Sequence, residues 1–313
     1  MMDWTDRHCR YFLRQVSSRA FLYTEMITTG ALLHGDVERH LAFDPAEHLV
    51  GLQLGGSEPD ELAHCARLGE KYGYDEINLN IGCPSERVQR GAFGACLMAE
   101  PKLVASCVAA IRNAVSVPVT VKHRIGIDAI ESYDFVRDFV GSVSEAGCRA
   151  FMVHARNAVL KGLSPKENRE VPPLRYDYVY RLKRDFPDLE IVINGGITTA
   201  QQVELHLAHV DGVMLGRAAY HDPWLLADGG NTRRRVVNAM HRYACAMVDK
   251  GWSLRSIARH MLGLYHGQPR ARLWRRMLSD AGFLKENNPQ LLLRALQATD
   301  ETPFSMMPAC QPT

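Results

Sequence analysis

Between residues 21 and 220, short apolar runs alternate with longer amphipathic stretches. The runs at 21–27, 49–54, 76–81, 117–123, 150–154, 190–193 and 212–215 are nearly continuous in apolar residues. Strands of a parallel sheet covered on both faces read this way. Between them, 58–72, 101–114, 132–146 and 200–209 repeat apolar residues at helical spacing. In 101–114 the apolar face is Leu103, Val104, Cys107, Val108 and Ile111. Repeated βα units predict an α/β fold, either a doubly wound sheet or a TIM (β/α)₈-type barrel. After Pro223 the strand signal ends, and 236–248, 254–264, 272–278 and 291–296 read as helices. The expected organisation is a barrel over 1–230, a helical domain over 231–300 and a flexible tail over 301–313.

One run differs from the others. In Ile77-Asn78-Leu79-Asn80-Ile81 the two amides alternate with apolar residues, so Asn78 and Asn80 point to one side of the strand. Gly82-Cys83-Pro84 follows, and proline cannot donate to a ladder, so the strand stops there. Cys83 then stands at the C-terminal mouth of a strand, where α/β barrels keep their chemistry. A thiol in that place can be a nucleophile, a metal ligand or a proton donor.

The overall charge of +2 conceals a division. Residues 231–280 hold eleven Lys/Arg against Asp249 and Asp280, which is +9 and leaves −7 for the rest. A basic segment on an acidic body suits a polyanion, with nucleic acid first, and competes with a plain solvated helix face. The eight cysteines show no C-x-x-C pair, which argues for reduced thiols and against a structural metal site. Cys65, Cys96, Cys107, Cys148 and Cys245 read as packing. No apolar run reaches the ~18 residues of a membrane span, and charges from Asp3 to Arg10 interrupt any leader. The expected location is the cytoplasm.

Other strand ends carry candidate chemistry. Asn194-Gly195-Gly196 and Gly216-Arg217 follow the last two strands, where glycine backbone admits a phosphate and Arg217 adds charge. The alternative is ordinary turn glycine. Lys122 lies inside an apolar strand and needs an anion or an electron-rich ring, unless it snorkels to the rim. His154 and Gln53 also end strands, and the Gln53 amide could bond a heterocycle edge. The polar loop 161–169 could grip phosphates through Lys166 and Arg169, or act as a solvated lid. No nucleophile elbow, H-E-x-x-H or paired-carboxylate pattern is present.

Taken in order, Met2-Asp3-Trp4-Thr5-Asp6, Leu52-Gln53-Leu54-Gly55-Gly56, Asn78–Ser85, Val121-Lys122-His123-Arg124, Val153-His154-Ala155-Arg156, Ser164–Arg169, Asn194-Gly195-Gly196 and Gly216-Arg217 resemble the tRNA-dihydrouridine synthases. The bacterial A-type subfamily, the tRNA-dihydrouridine(20/20a) synthases, is the most similar. The resemblance runs from Asp3 to about Ala298. It implies an FMN-binding barrel, a basic helical tRNA-binding domain and NADPH-dependent reduction of the uridine C5–C6 bond at D-loop positions 20 and 20a. It implies Cys83 as proton donor and Asn80 beside the uracil. It further implies Met2, Asp3, Gln53, Lys122 and His154 at the flavin, with Asn194, Gly195, Gly196, Gly216 and Arg217 at its phosphate. Lys166, Arg169, Arg272, Arg275 and Arg276 fall where tRNA contacts are expected. Neither a metal, a membrane nor an oligomer is called for. In the family an apolar strand ending Ala-Pro-Met precedes the Asp-Trp-Thr-Asp turn. Here only Met1-Met2 precede it, so a barrel short of its first strand is expected, as from a start site placed too late. A flavin barrel acting on a free pyrimidine and a non-catalytic tRNA-binding protein are the rival readings.

Overall fold

A computed structural model describes residues 1–300, less the side chains of Arg87 and Arg90; the expected tail 301–313 lies outside the described residues. The described chain divides into two compact units, one of residues 1–14 and 19–220, the other of residues 15–18 and from His221 onward.

The first unit is built on one sheet of seven parallel strands in sequence order. They are β1 (Leu22–Thr28), β2 (Val50–Gly55), β3 (Glu76–Ile81), β4 (Val119–Arg124), β5 (Ala150–His154), β6 (Glu190–Asn194) and β7 (Gly212–Met214). Each lies within two residues of the run that predicts it. Tyr23 of β1, Glu76 of β3 and Glu190 of β6 interact electrostatically. In a flat sheet β1 and β6 would stand about 24 Å apart, at ~4.8 Å per strand. The sheet is therefore curled, with β1 and β7 as its edges, which is the barrel expectation short of one strand.

Residue parity divides the two faces of this sheet. Leu52, Leu54, Ile77, Leu79, Ile81, Val121, Phe151, Val153, Ile191 and Ile193 are fully buried. These positions face outward onto helices such as Pro59–Tyr72, Pro101–Ala114 and Tyr133–Glu145. Even the polar outward position fits: the His123 ring lies 5.1 Å from Phe139 of the last helix. Burying each Leu, Ile or Phe is worth about 1.5–3 kcal/mol, so this layer stabilises the unit. The opposite parity is largely polar, with Met152 an apolar member of it. Gln53, Glu76, Asn78, Asn80, Thr120, Lys122, Arg124, His154 and Asn194 line the concave side.

The second unit is helical. Helices Arg233–Asp249, Leu254–Ala258, Ala271–Ser279, Ala281–Lys285 and Gln290–Asp300 enclose Val236, Met240, Ile257, Leu264, Leu278 and Leu292. Trp274 is fully buried at its centre and donates its indole N–H to the Met261 carbonyl at 2.8 Å. Three of its arginines serve the fold. Arg233 lies 4.2 Å over the Trp224 ring, Arg234 pairs with Asp300 at 2.9 Å, and Arg270 donates to the Ala298 carbonyl at 3.0 Å. No helix among the described residues is long and apolar enough to cross a membrane.

Candidate active site

Strand β3 ends at Ile81, and the chain then turns through Gly82-Cys83-Pro84. The turn is held from four sides. The Asn80 Oδ1 accepts the N–H groups of both Gly82 and Cys83 at 3.0 Å. Ala95 N–H donates to the Cys83 carbonyl at 3.0 Å. Arg124 Nε donates to the Gly82 carbonyl at 3.2 Å, and Gln89 Nε2 donates to the carbonyls of Pro84 and Leu160, both at 2.8 Å. Gly94, at φ +79°, packs against the same turn: a Cβ there would stand 2.7 Å from the Cys83 carbonyl oxygen and 2.5 Å from Val88 Cγ1. Only glycine fits that position. Cys83 is half-buried, with Sγ 3.7 Å from Ser85 Oγ. The fully buried thiols behave differently. Burial pushes Cys65 and Cys107 up to about 11 and Cys148 up to about 12, which leaves them as inert packing.

Cations gather on the concave side beyond this turn. Lys122 lies beside Asn80 in the β3–β4 register, and burial pushes its ammonium down to about 8. Among the described residues it has no ion-pair partner. Arg124 shares its parity, and burial lowers it to about 10. Besides Gly82, Arg124 holds the carbonyls of Asn157 and Asn168, at 3.2 and 2.9 Å. His154 sits next to Arg124 in register. Burial, then the charges of Arg124, Lys122, Arg156 and Arg169, keep its ring well below the usual imidazole range. Among the described residues its buried Nδ1 has no hydrogen-bond partner, and neither has the buried Arg156 Nε. A neutral imidazole with an unspent nitrogen, ringed by cations, leaves a polar debt that an anionic or hydrogen-bonding ligand would settle.

The last strands add backbone. Gly195 and Gly196 have φ of +118° and +71°, the left-handed region. A Cβ on Gly195 would stand 3.2 Å from the His154 ring, and one on Gly196 2.6 Å from Leu174. Asn194 Nδ2 donates to the Met214 carbonyl at 2.8 Å, tying β6 to β7. Beyond β7, the nearest atom to a Cβ on Gly216 among the described residues would be Met1 Sδ, at 3.5 Å. Arg217 is already engaged, paired with Glu170 at 2.6 Å and donating to the Arg169 carbonyl at 3.3 Å. Met2 and Asp3 are exposed in the N-terminal turn, where the Asp3 backbone N–H reaches Glu25 of β1.

The loop 161–169 folds around a residue that the sequence pattern does not single out. Asn168 is fully buried; its Nδ2 donates to Val159, Leu163 and Ser164 carbonyls at 2.8, 3.1 and 3.3 Å, and its Oδ1 accepts the Val159 N–H at 2.7 Å. Lys166 and Arg169 flank it in sequence and are exposed, and the Arg169 charge still acts on His154 and Cys83. In the second unit Arg272, Arg275 and Arg276 are exposed on the helix Ala271–Ser279. Arg272 and Arg276 share a cavity of about 340 Å³ with Arg270 and Leu273; Arg275 does not line it. Arg124 and Arg156 join the site although the motifs assign them no role. The parity of Thr120, Lys122 and Arg124 is the signal that points to the first.

Residues 1–300 match the family described as dihydrouridine synthase. The chain is 56% identical over 308 residues to the tRNA-dihydrouridine(20/20a) synthase of Synechocystis sp., covering 95% of this chain and 92% of that protein. It is 58% identical over 303 residues to the protein of the same name from Pseudomonas syringae pv. tomato, covering 94% and 90%. The Salmonella typhi protein of that name is 55% identical over 308 residues, covering 95% and 92%. Among solved structures, a 2-naphthoyl-CoA reductase complex superposes with a TM-score of 0.52 at 11% identity, covering 72% of this chain. This chain spans 46% of that larger protein, and the likeness is one of fold.

Proposed function

The chain belongs to the dihydrouridine synthase family, and from that premise we propose that it reduces the C5–C6 bond of uridine in tRNA to 5,6-dihydrouridine. The targets are the D-loop uridines 20 and 20a, the cofactor is FMN, the reductant is NADPH and the setting is the cytoplasm. The residues present fit a flavin. A buried Lys122 without an anion suits a ring edge that turns negative on reduction. Neutral His154, with Nδ1 unspent, suits a hydrogen bond to the heterocycle. Gln53 keeps an amide hydrogen beyond the one it gives to Asn78. Asn194, Gly195, Gly196 and Gly216 would cradle the phosphate, and Arg217 would exchange Glu170 for it. Met2 and Asp3 would complete the cofactor contacts.

Bound reduced flavin supplies the hydride that reaches C6. The chain's own residues do the rest. Cys83 Sγ–H delivers the proton to C5. Lys122, Arg124 and Arg169 lie within electrostatic reach of that sulfur and balance the charge left on it. Asn80, which holds the Cys83 turn, lies beside the uracil. A base in a folded RNA must leave its stack first, at a cost of a few kcal/mol. Phosphate contacts from Lys166, Arg169, Arg272, Arg275 and Arg276 offset that cost.

The observation that carries this reading is the clamped Cys83 turn beside Lys122, which has no ion-pair partner among the described residues, and the unsatisfied Nδ1 of His154. The experiment supplies purified protein with FMN, NADPH and tRNA from cells lacking the gene, and maps the product by mass spectrometry. Dihydrouridine at 20 and 20a is expected, with no turnover of free uracil or orotate. Equal turnover of a free pyrimidine would replace the RNA reading with a small-molecule one.

A further inference from the structure

A single directed file of hydrogen bonds runs through the interior of β2, β3 and β4. Glu76 Oε1, at the start of β3, accepts the Thr120 hydroxyl at 2.6 Å. Thr120 Oγ1 accepts Asn78 Nδ2 at 2.8 Å. Asn78 Oδ1 accepts Gln53 Nε2 at 2.8 Å, and Gln53 Oε1 accepts Asn80 Nδ2 at 2.7 Å. Asn80 Oδ1 then takes the N–H groups of Gly82 and Cys83. The strand registers make this possible: Gln53, Asn78 and Thr120 are direct neighbours across the three strands, with Asn80 one inward position further along β3. Glu76, Asn78, Gln53 and Thr120 are all buried.

The direction of the file follows from proton count. A side-chain amide has nearly the same shape after a flip that exchanges its O and N, so packing alone does not orient it. A hydroxyl has one hydrogen. With that hydrogen spent on Glu76, Thr120 can only accept from Asn78, so the Asn78 NH₂ must face it. Each later amide is then forced in turn. At the far end, the two N–H groups of the Cys83 turn demand the same orientation. Tyr23 also hydrogen-bonds Glu76; burial raises that carboxyl to about 7, and in its ionised form it can only accept, so this end sets the polarity most firmly above that pH, while the backbone N–H groups of the Cys83 turn set it at the other end at any pH.

We infer that Glu76 and Thr120 are positioning residues for the reaction, fixing the polarity of the amides Asn78, Gln53 and Asn80 and, through Asn80, the Cys83 turn. One consequence concerns specificity. Asn80 Oδ1 has both acceptor positions filled, so Asn80 meets a ligand only through its remaining N–H. Its complement is a carbonyl oxygen, as at C2 or C4 of uracil; an N–H or amino group opposite it would find no acceptor. Reversing the file would present the wrong atom to the base and leave the Cys83 turn without its acceptor. This inference rests on the reading of the site as one for flavin and uridine.

The test compares Thr120→Ser with Thr120→Val in the FMN-loaded protein. Serine loses a buried methyl but keeps the hydroxyl; valine keeps the bulk and loses the hydroxyl. The readouts are FMN affinity by fluorescence quenching, the absorption spectrum of the bound flavin, kcat and KM on tRNA, and Tm. Thr120→Ser is expected to match wild type within about twofold, while Thr120→Val loses about tenfold in kcat, the scale of one lost hydrogen bond, with a changed flavin spectrum. If Thr120→Val does not fold, Glu76→Gln, which keeps an acceptor, is compared with Glu76→Leu, which does not, and the same division is expected. Equal kcat and spectra for the hydroxyl-keeping and hydroxyl-lacking variants, beside an active wild type, would overturn the inference. A wild type that neither binds FMN nor modifies tRNA would instead overturn the functional reading beneath it.

Discussion

Replacing Lys122 with methionine should stabilise the cofactor-free protein at neutral pH. The ammonium sits on the concave wall with no anion to pair it, and burial lowers its pKa from 10.5 to about 8. A lowered lysine pKa means the folded chain holds the proton less tightly than the unfolded one. Charging the group therefore costs stability, fully below about 8 and not at all above about 10.5. At ~1.36 kcal/mol per unit, the penalty at pH 7 is about 3 kcal/mol. Methionine has similar length and no charge, so it removes the penalty and keeps the packing. The assay is urea unfolding of cofactor-free wild type and Lys122→Met between pH 7 and 10.5. The variant should be the more stable at pH 7, and the gap should close as pH rises. Adding FMN should then stabilise wild type more than the variant, because the ligand supplies the missing partner. A variant that is less stable at pH 7, by an amount that does not change with pH, would refute the claim that Lys122 is a buried charge awaiting an anion.

Three other outcomes follow from particular contacts. Gly94→Ala puts a methyl 2.7 Å from the Cys83 carbonyl at a positive φ; we expect a loss of about 1–3 kcal/mol in chemical unfolding and a larger fall in kcat than in tRNA affinity. Asn168→Ala removes the anchor of the 161–169 loop and should cost about 2–3 kcal/mol while opening the loop to limited proteolysis. Replacing Arg272, Arg275 and Arg276 together by alanine should reduce the slope of log Kd against log salt for tRNA by up to about 3, with FMN affinity unchanged.

The strands were legible because their outward residues form apolar runs that only a covered parallel sheet explains. The alternation of Asn78 and Asn80 with apolar residues also marks a polar face in the sequence itself. The partners on that face were not legible. Glu76 and Thr120 lie 44 positions apart, and nothing local marks them as neighbours until β3 and β4 pair. The helix Arg7–Val16 is absent from the expected elements because Arg10, a charged residue, is one of its buried positions. Arg10 is held there by a 2.6 Å ion pair to Glu47, again a contact remote in sequence. Asn168 reads as one more polar loop residue, and only the three carbonyls around it show that it is the loop's core. For the +9 segment, charge counting could not separate Arg233, Arg234 and Arg270, which serve the fold, from Arg272, Arg275 and Arg276, which face solvent.

The most direct test of the central claim maps dihydrouridine at positions 20 and 20a in tRNA from cells lacking this gene, after complementation with wild type or Cys83→Ala. Wild type should restore the modification, and the alanine variant should fail although it still binds FMN and tRNA. Full restoration by Cys83→Ala would contradict the assignment of that thiol as the proton donor.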